Sequence, residues 1–332
     1  MYSLKKLDSD EWQTIWKNID KQNILQSWQY GESKKNIEGW EPARYKIIDK
    51  NLELIGLVQI LLKKIPLFGF IARINRGPII INQYDEKNYI IKYRNSISAI
   101  LKESKENFWI FMQIVPEIDA SYANKIEFEK LGFKKLKTPA WSSYILPLDS
   151  DEDTLLMSLN GKWRNCLRKS WQYNMEILKV NINENDNLSL LLNDYDNLKK
   201  KNNFSGISND LLDDLCLSRN EMWKADIFFA FENKEKINTK PIGTLVSITY
   251  GKSSIYLIGI SNDLGRKLNA NYSLLWKAIM NSKSYGCKSF DLGGLNSSTP
   301  KSIAHFKKGL NAKFYSLIGE YRKFIFPSFR NI

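Results

Sequence analysis

The chain reads as a mixed α/β protein of the α+β kind, made of two copies of one unit. Three observations predict this. A length of 332 residues favours two domains over one. Helical and strand rhythms of apolar residues alternate throughout, and 43% hydrophobic with 13% aromatic residues is ample for a core. The order of elements then starts again after Pro147: each half supplies a helix, a β-meander, a long helix, a strand, a short helix and a closing strand. The repeat exists at the level of elements, not of residues. The boundary falls near Leu148–Asp153, where a strand ends and a run of acids follows, so the domains are expected over residues 1–148 and 149–314.

Each element has a local reason. Asp8-Ser9-Asp10-Glu11-Trp12 opens a helix, with capping residues and acids in the first turn. Ala43–Asp49 and Leu52–Leu62 read as paired strands around Lys50-Asn51. Phe70–Asn75 and Pro78–Ile81 flank Arg76-Gly77. Asp85–Glu106 has the helical rhythm, with Tyr89, Ile90, Tyr93, Ile97, Ile100 and Leu101 on one face. Phe108–Val115 is a strand closed by Pro116, Ile126–Leu131 a short helix stopped by Gly132, and Ser142–Leu148 a strand. In the second half, Asp151–Leu159, Lys162–Tyr173, Asn187–Lys201, Asn209–Lys224 and Tyr272–Tyr285 read as helices. Met175–Val180, Ile227–Glu232, Ile242–Tyr250, Ser253–Gly259 and Ser289–Leu292 read as strands, and Ile318–Arg322 as the last.

Composition narrows the chemistry. Cys166, Cys216 and Cys287 are far apart and lack metal-ligand spacing, and His305 is the single histidine. A histidine-based metal site or a Ser-His-Asp triad has almost no material here, and His305 reads as a structural or surface residue. The N-terminus has no apolar signal core, and no apolar run reaches the roughly 18 residues a membrane span needs. Lys+Arg 49 against Asp+Glu 36 gives a net charge of +13, which favours a polyanionic partner: nucleic acid, an anionic membrane face or a phosphorylated substrate. The charge is dense at the C-terminal end. There Lys301, Lys307, Lys308, Lys313, Arg322, Lys323 and Arg330 face one acid, Glu320, around the turn Gly293-Gly294. A cytoplasmic monomer with peripheral contact to the inner membrane face is expected.

The element order resembles the acetyltransferase (GNAT) fold, where a helix N-terminus after the meander cradles the coenzyme A pyrophosphate. Glycines are needed there, because backbone must approach the phosphates. The matching turn, Arg266-Lys267-Leu268-Asn269-Ala270-Asn271-Tyr272, carries asparagines instead, and Gln83–Asn88 in the first half has no glycine and two acids. Neither half is expected to bind acyl-CoA in the usual way, and no cofactor is expected.

Three ordered segments resemble the Fem-type (FemABX) peptidoglycan bridge-forming aminoacyltransferases. The first is Leu25-Gln26-Ser27-Trp28-Gln29-Tyr30-Gly31-Glu32-Ser33-Lys34 with Gly39-Trp40. The second is Gly161-Lys162-Trp163-Arg164 with Leu167-Arg168 and Met175-Glu176-Ile177. The third is Asp291-Leu292-Gly293-Gly294-Leu295, Phe306-Lys307-Lys308-Gly309-Leu310 and Gly319-Glu320-Tyr321. Nothing like the family's coiled-coil arm is present, so the compact form is implied. The resemblance implies two tandem acetyltransferase-like domains, with residues 315–332 returning to the first. It also implies transfer of an amino acid from aminoacyl-tRNA to the free amine of a nucleotide- or lipid-linked muramoyl-peptide precursor. Both partners are polyanions, which suits the charge. The ester arrives activated, so the enzyme orients the partners and stabilises an oxyanion, where one donor is worth roughly 3–4 kcal/mol.

Carried over position by position, the resemblance makes Lys307 the catalytic candidate, with Phe306 positioning it or stacking on the terminal adenosine. Lys34 would hold precursor phosphates, Tyr256 would line the precursor site, and Lys301, Lys308 and Lys313 would meet tRNA. Two departures stand out. Where the family has an arginine before the aromatic of Leu198–Phe204, Lys200 or Lys201 must serve, without bidentate geometry. Where the family's strand before Pro116 ends in Asp, this chain has Gln113-Ile114-Val115, so no carboxylate there can act as base. Two other readings stay open: an acyl-CoA-dependent N-acyltransferase on a surface sugar or amino acid, and a non-catalytic RNA- or membrane-binding protein.

Overall fold

The computed structural model describes residues 2–81, 86–122, 128–182, 184, 186–237, 239–296 and 299–325. In chain order its elements begin with β1 (Ser3–Lys6), α1 (Ser9–Trp16), α2 (Trp28–Glu38), β2 (Glu41–Ile48), β3 (Leu54–Ile65), β4 (Gly69–Asn75), β5 (Ile79–Ile80), α3 (Glu86–Glu106), β6 (Trp109–Val115) and β7 (Lys134–Lys135). Next come β8 (Ser142–Pro147), α4 (Glu152–Ser158), α5 (Gly161–Trp171), β9 (Glu176–Val180), α6 (Asn187–Asn202), α7 (Asn209–Leu217), β10 (Trp223–Phe231), β11 (Gly243–Tyr250) and β12 (Ser253–Ser261). The chain closes with α8 (Asp263–Lys267), α9 (Ala270–Ser284), β13 (Ser289–Asp291), α10 (Lys301–Lys308), β14 (Lys313–Ser316) and β15 (Tyr321–Phe324). Two compact units result: Met1–Ser142 with Tyr315–Ile332, and Ser143–Phe314.

Unit 1 is built on a mixed sheet of order β1-β2-β3-β4-β6-β15-β7, with β5 paired to β3. β4 and β6 run parallel; β15 pairs antiparallel with β6, Tyr321 opposite Ile114. α3 lays Tyr93, Ile97 and Ile100 against Trp109, Met112 and Ile114, one buried stripe meeting the inward face of a strand. Tyr321 of β15 stacks on Phe128 at 4.7 Å, so the C-terminal strand contributes to this core. The Asp8 reading is realised as a capping box: Asp8 accepts from the Glu11 N–H, and Glu11 accepts from that of Asp8.

Unit 2 is built on a sheet of order β14-β8-β13-β12-β11-β10-β9. β9 to β12 form an antiparallel meander, and β12 and β13 run parallel. α5 and α9 supply Leu167, Leu274, Leu275 and Ile279 to a core with Phe228 and Phe290. Two mixed sheets flanked by helices are therefore present, as the element order predicts.

Several elements differ from the sequence reading. The helix expected over Asn209–Lys224 ends at Leu217. Trp223 instead opens β10, fully buried, its indole N–H donating to the Leu215 carbonyl, so its core character belongs to a strand. The last strand starts at Tyr321, because Gly319 sits at φ +105 and interrupts the extended run. β1, β7 and β14 were not expected from the sequence; all are short, and all begin or run in lysine-rich segments. Of the helix expected over 126–131, residues 126 and 127 lie outside the described residues, and Phe128–Leu131 is a 3-10 turn. Asp85, the expected start of α3, also lies outside them, as do parts of the Gln83–Asn88 turn.

Candidate functional site

The site in unit 2 forms where two parallel strands part. β12 and β13 pair from Ser253–Ser289 to Ile255–Asp291. Beyond that, Tyr256 continues β12 while Gly293 turns away at φ +74. A Cβ on Gly293 would lie 2.6 Å from the Tyr256 carbonyl oxygen, so only glycine allows this turn to lie against β12. The turn is fixed by a buried network. Asp291 accepts from the Gly293 N–H at 2.9 Å and from the Ser143 hydroxyl. Ser143, fully buried on β8, also lies 2.7 Å from the Gly293 carbonyl.

Lys307 enters this gap from α10. Its Nζ donates to the carbonyls of Gly293 at 3.1 Å and Gly294 at 3.0 Å, and stands 5.5 Å from the centre of the Tyr256 ring. The residue is 6% exposed. Burial lowers its ammonium to a pKa of about 8, against the opposing pull of Asp291. Lysine at such a depth is uncommon unless paired, and here the pairing is with carbonyl dipoles rather than an adjacent carboxylate. Tyr256 is held by the room that Gly259 leaves: a Cβ there would lie 1.7 Å from the Tyr256 hydroxyl oxygen. Burial pushes the Tyr256 phenol up to about 12, so it stays protonated and can donate.

The rest of the Phe306–Leu310 motif builds the support. Phe306 packs edge-on to Tyr272 of α9 at 5.0 Å and lies 5.8 Å from Trp163 of α5. Trp163 and Tyr272 meet at 4.9 Å, closing a trio of rings from three helices. Gly309 is required by the same tryptophan, whose Cδ1 would be 2.6 Å from an added Cβ. Leu310 is fully buried. One short helix thus points Phe306 into aromatic packing and Lys307 into the strand gap. Lys301, His305 and Lys308 share its solvent face, and Lys313 is exposed at the start of β14.

Other sequence candidates are not part of this cluster. Lys200 and Lys201 are exposed in the last turn of α6, where cations suit the helix dipole. Arg266 holds the Asp263 carboxyl below its usual range and Lys201 adds a smaller pull, which places Lys201 near α8. Lys34 belongs to unit 1, where it pairs with Glu38 one turn along α2. Around it is a polar cluster that sequence reasoning missed. Burial pushes the Tyr30 phenol up to about 12, and Tyr30 is bonded to Asn75, which also accepts from Arg73 at 2.8 Å. Glu320 accepts from Gln113 at 2.6 Å, from the Thr138 hydroxyl at 3.0 Å and from Arg73. The carboxylate absent from β6 is thus supplied beside Gln113 from the turn before β15. The signal was the lone acid of the C-terminal segment.

At the turn before α9, Asn269 takes φ +58, a conformation asparagine tolerates better than most residues. Among the described residues no group of three or more His, Cys, Asp or Glu is placed to hold a metal, and no helix is long and apolar enough to cross a membrane.

Fold and site together define a tandem acetyltransferase-like protein with a buried lysine at the strand splay of its second unit. The FemAB family model matches residues 220–330, the segment that carries β10 to β15 and Lys307. A lipid II:glycine glycyltransferase from Staphylococcus haemolyticus (strain JCSC1435) is 21% identical over 352 positions, covering 86% of this chain and 82% of that protein. The crystal structure of FemX superposes with a TM-score of 0.77 at 17% identity, covering 97% of both chains. A tandem GNAT protein from the clavulanic acid biosynthesis pathway gives a TM-score of 0.55 at 8% identity, covering 99% of both. The C-terminal third of the chain thus matches the FemAB family model, and the fold is shared with FemX and tandem GNAT proteins.

Proposed function

We propose that this protein is a transferase that moves an amino acid from aminoacyl-tRNA to the peptide amine of a muramoyl-peptide precursor of peptidoglycan. The observation that carries the reading is Lys307: a cation buried at a strand splay, held by two carbonyls, inside the segment that matches the FemAB family. The similar glycyltransferase makes glycine the first donor to test and a lipid-linked muramoyl peptide the first acceptor.

The chemistry needs little beyond positioning. The acceptor amine attacks the ester carbonyl of the charged tRNA, a C–N bond forms, and a tetrahedral oxyanion develops. Lys307, whose Nζ–H groups are already oriented, donates to that oxyanion. The intermediate collapses by breaking the ester C–O bond, and the tRNA hydroxyl leaves with a proton. The proton lost by the attacking amine passes to water or to the substrate. A buried ammonium is effective in this role because low local polarity strengthens its field and its orientation is fixed before reaction. Lys301, Lys308 and Lys313 give the exposed charge for a polyanionic donor. Lys34 and Arg73, with Tyr30 beside them, give unit 1 a cationic cluster for acceptor phosphates. Lys200 and Lys201 serve as peripheral phosphate contacts.

The test is a choice of donor. Purified protein is offered glycyl-tRNA, a panel of other charged tRNAs and acetyl-coenzyme A, each with nucleotide-linked and lipid-linked muramoyl peptide. Transfer from at least one charged tRNA, and none from acetyl-coenzyme A, is expected. Acetyl transfer alone, or no transfer from any charged tRNA, overturns the reading.

A further inference from the structure

At one end of the unit 1 sheet, four large apolar side chains stand in solvent. Leu67 and Phe68 form the turn between β3 and β4, and are 101% and 70% exposed. Phe108, which leads into β6, is 64% exposed, and so is Phe324 at the end of β15. They belong to one place. The Phe70 N–H donates to the Phe108 carbonyl at 3.0 Å, and a Cβ on Gly69 would lie 2.2 Å from that same oxygen. Phe324 packs edge-on to Phe111, three residues along β6 from Phe108.

Folding does not account for these residues. Leu67 has φ +68 and Phe108 has φ +54, the left-handed region that L side chains adopt at a cost and that Gly or Asn fills more readily. Each therefore holds a strained backbone while burying little of its side chain. An exposed apolar cluster of this kind marks a surface for something else.

The charge around it identifies the occupant. Lys63 and Lys64 are exposed at the end of β3 beside the turn; the Lys63 ammonium donates to the Glu38 carbonyl at 3.2 Å, and no acid lies between Lys63 and Phe70. Lys105, in the last turn of α3, lies close enough to Lys323 to lower its ammonium, with burial the larger cause. Acids near this end among the described residues are engaged: Glu106 pairs with Lys102, Glu103 accepts from Asn107, and Glu41, opposite Leu62, pairs with Lys35. Apolar side chains at a tip, ringed by lysines, fit an interface where hydrocarbon lies beneath anionic headgroups.

We propose that this end of unit 1 is a membrane-docking surface, which inserts Leu67, Phe68 and Phe108 into the headgroup region of an anionic bilayer while Lys63, Lys64 and Lys105 contact the lipid phosphates. The inference stands apart from the transfer reaction: it holds or fails whichever donor the enzyme uses.

The test is sedimentation of the full chain with vesicles of phosphatidylglycerol and phosphatidylethanolamine in equal parts, against vesicles of phosphatidylcholine alone. Wild type is expected to pellet with the anionic vesicles, and added salt to weaken that. Leu67→Asn combined with Phe108→Asn is expected to lower partitioning about tenfold, since each apolar side chain removed takes its own transfer free energy with it. The same variant is expected to melt no lower than wild type, because Asn accommodates positive φ. A Leu67→Trp protein is expected to shift its emission to the blue on adding anionic vesicles, which reports the tip itself. Wild type left in the supernatant, unchanged partitioning of the double variant, or an unshifted Leu67→Trp spectrum overturns the proposal. So does a lipid-free dimer that the double variant loses, which would assign the patch to a second copy of the chain.

Discussion

The ammonium of Lys307 stands 5.5 Å from the centre of the Tyr256 ring, in the gap left where β12 and β13 stop pairing. Parallel strands that separate expose backbone carbonyls, and those of Gly293 and Gly294 are the ones Lys307 occupies. The positive charge is thus held by dipoles on one side and an aromatic face on the other. Asp291 acts on it in two ways, by its charge and by fixing the Gly293 turn. An anionic transition state brought to this position would meet a cation bonded to carbonyls rather than tied up in a direct ion pair among the described residues.

Burial of that cation costs stability, and the sign follows from its lowered pKa of about 8 against an ordinary 10.5. Below pH 8 the lysine is protonated in both folded and unfolded states, and the full cost is present. Between 8 and 10.5 the unfolded chain binds more protons, so stability rises with pH as the cost is relieved. Lys307→Met is therefore expected to melt at or above wild type at neutral pH, and the gap to close toward pH 10.5. Thermal unfolding of the pair across that range checks it; a methionine variant that melts far below wild type contradicts it.

The same titration bears on rate. If the protonated amine is the oxyanion donor, kcat falls above pH 8 as Lys307 loses its proton. Lys307→Arg, if it retains measurable transfer, is expected to move that limb upward by more than one pH unit, since a guanidinium stays charged. The pH–rate profiles of the two proteins supply the comparison.

Gly259 leaves room for the Tyr256 hydroxyl, so Gly259→Ala must push the ring aside. A drop in kcat of about tenfold is expected, with stability reduced by about 1–3 kcal/mol, the usual range for overpacking. Kinetics and denaturant melts separate the two effects. Tyr256→Phe keeps the ring and is expected to retain the kcat that Gly259→Ala loses.

In the proposed reaction Lys34 serves the acceptor and not the chemistry. Lys34→Gln is expected to raise KM for the phosphate-bearing acceptor by about tenfold, roughly 1.4 kcal/mol of binding, and to leave kcat within a small factor. Steady-state kinetics with acceptor varied at saturating charged tRNA gives the split.

Much of this was legible in residue order. The two-unit α+β fold followed from element succession, and α1, α3, β2 and β3 follow from capping and periodicity alone. Phe306-Lys307-Lys308-Gly309 stood out as a motif, but its division of labour did not. That Phe306 and Gly309 both answer to Trp163, over a hundred residues earlier, is a tertiary fact. The misread end of α7 has a similar origin. Met222 and Trp223 continue an apolar rhythm past Leu217, and only packing against Leu215 shows that Trp223 has entered a strand. Glu320 was visible as a lone acid, but its place beside Gln113 depends on β15 crossing to β6. Phe108 read as an ordinary strand start and Leu67 fell between two expected strands, because positive φ leaves no trace in composition.

The measurement that tests the central claim most directly is the single-turnover rate of peptide-bond formation, from charged tRNA to muramoyl-peptide amine, in wild type and Lys307→Met. Removing the oxyanion donor is expected to slow that step by about 10²–10³-fold in a protein that remains folded. A folded Lys307→Met enzyme that forms the bond at the wild-type rate would contradict the account.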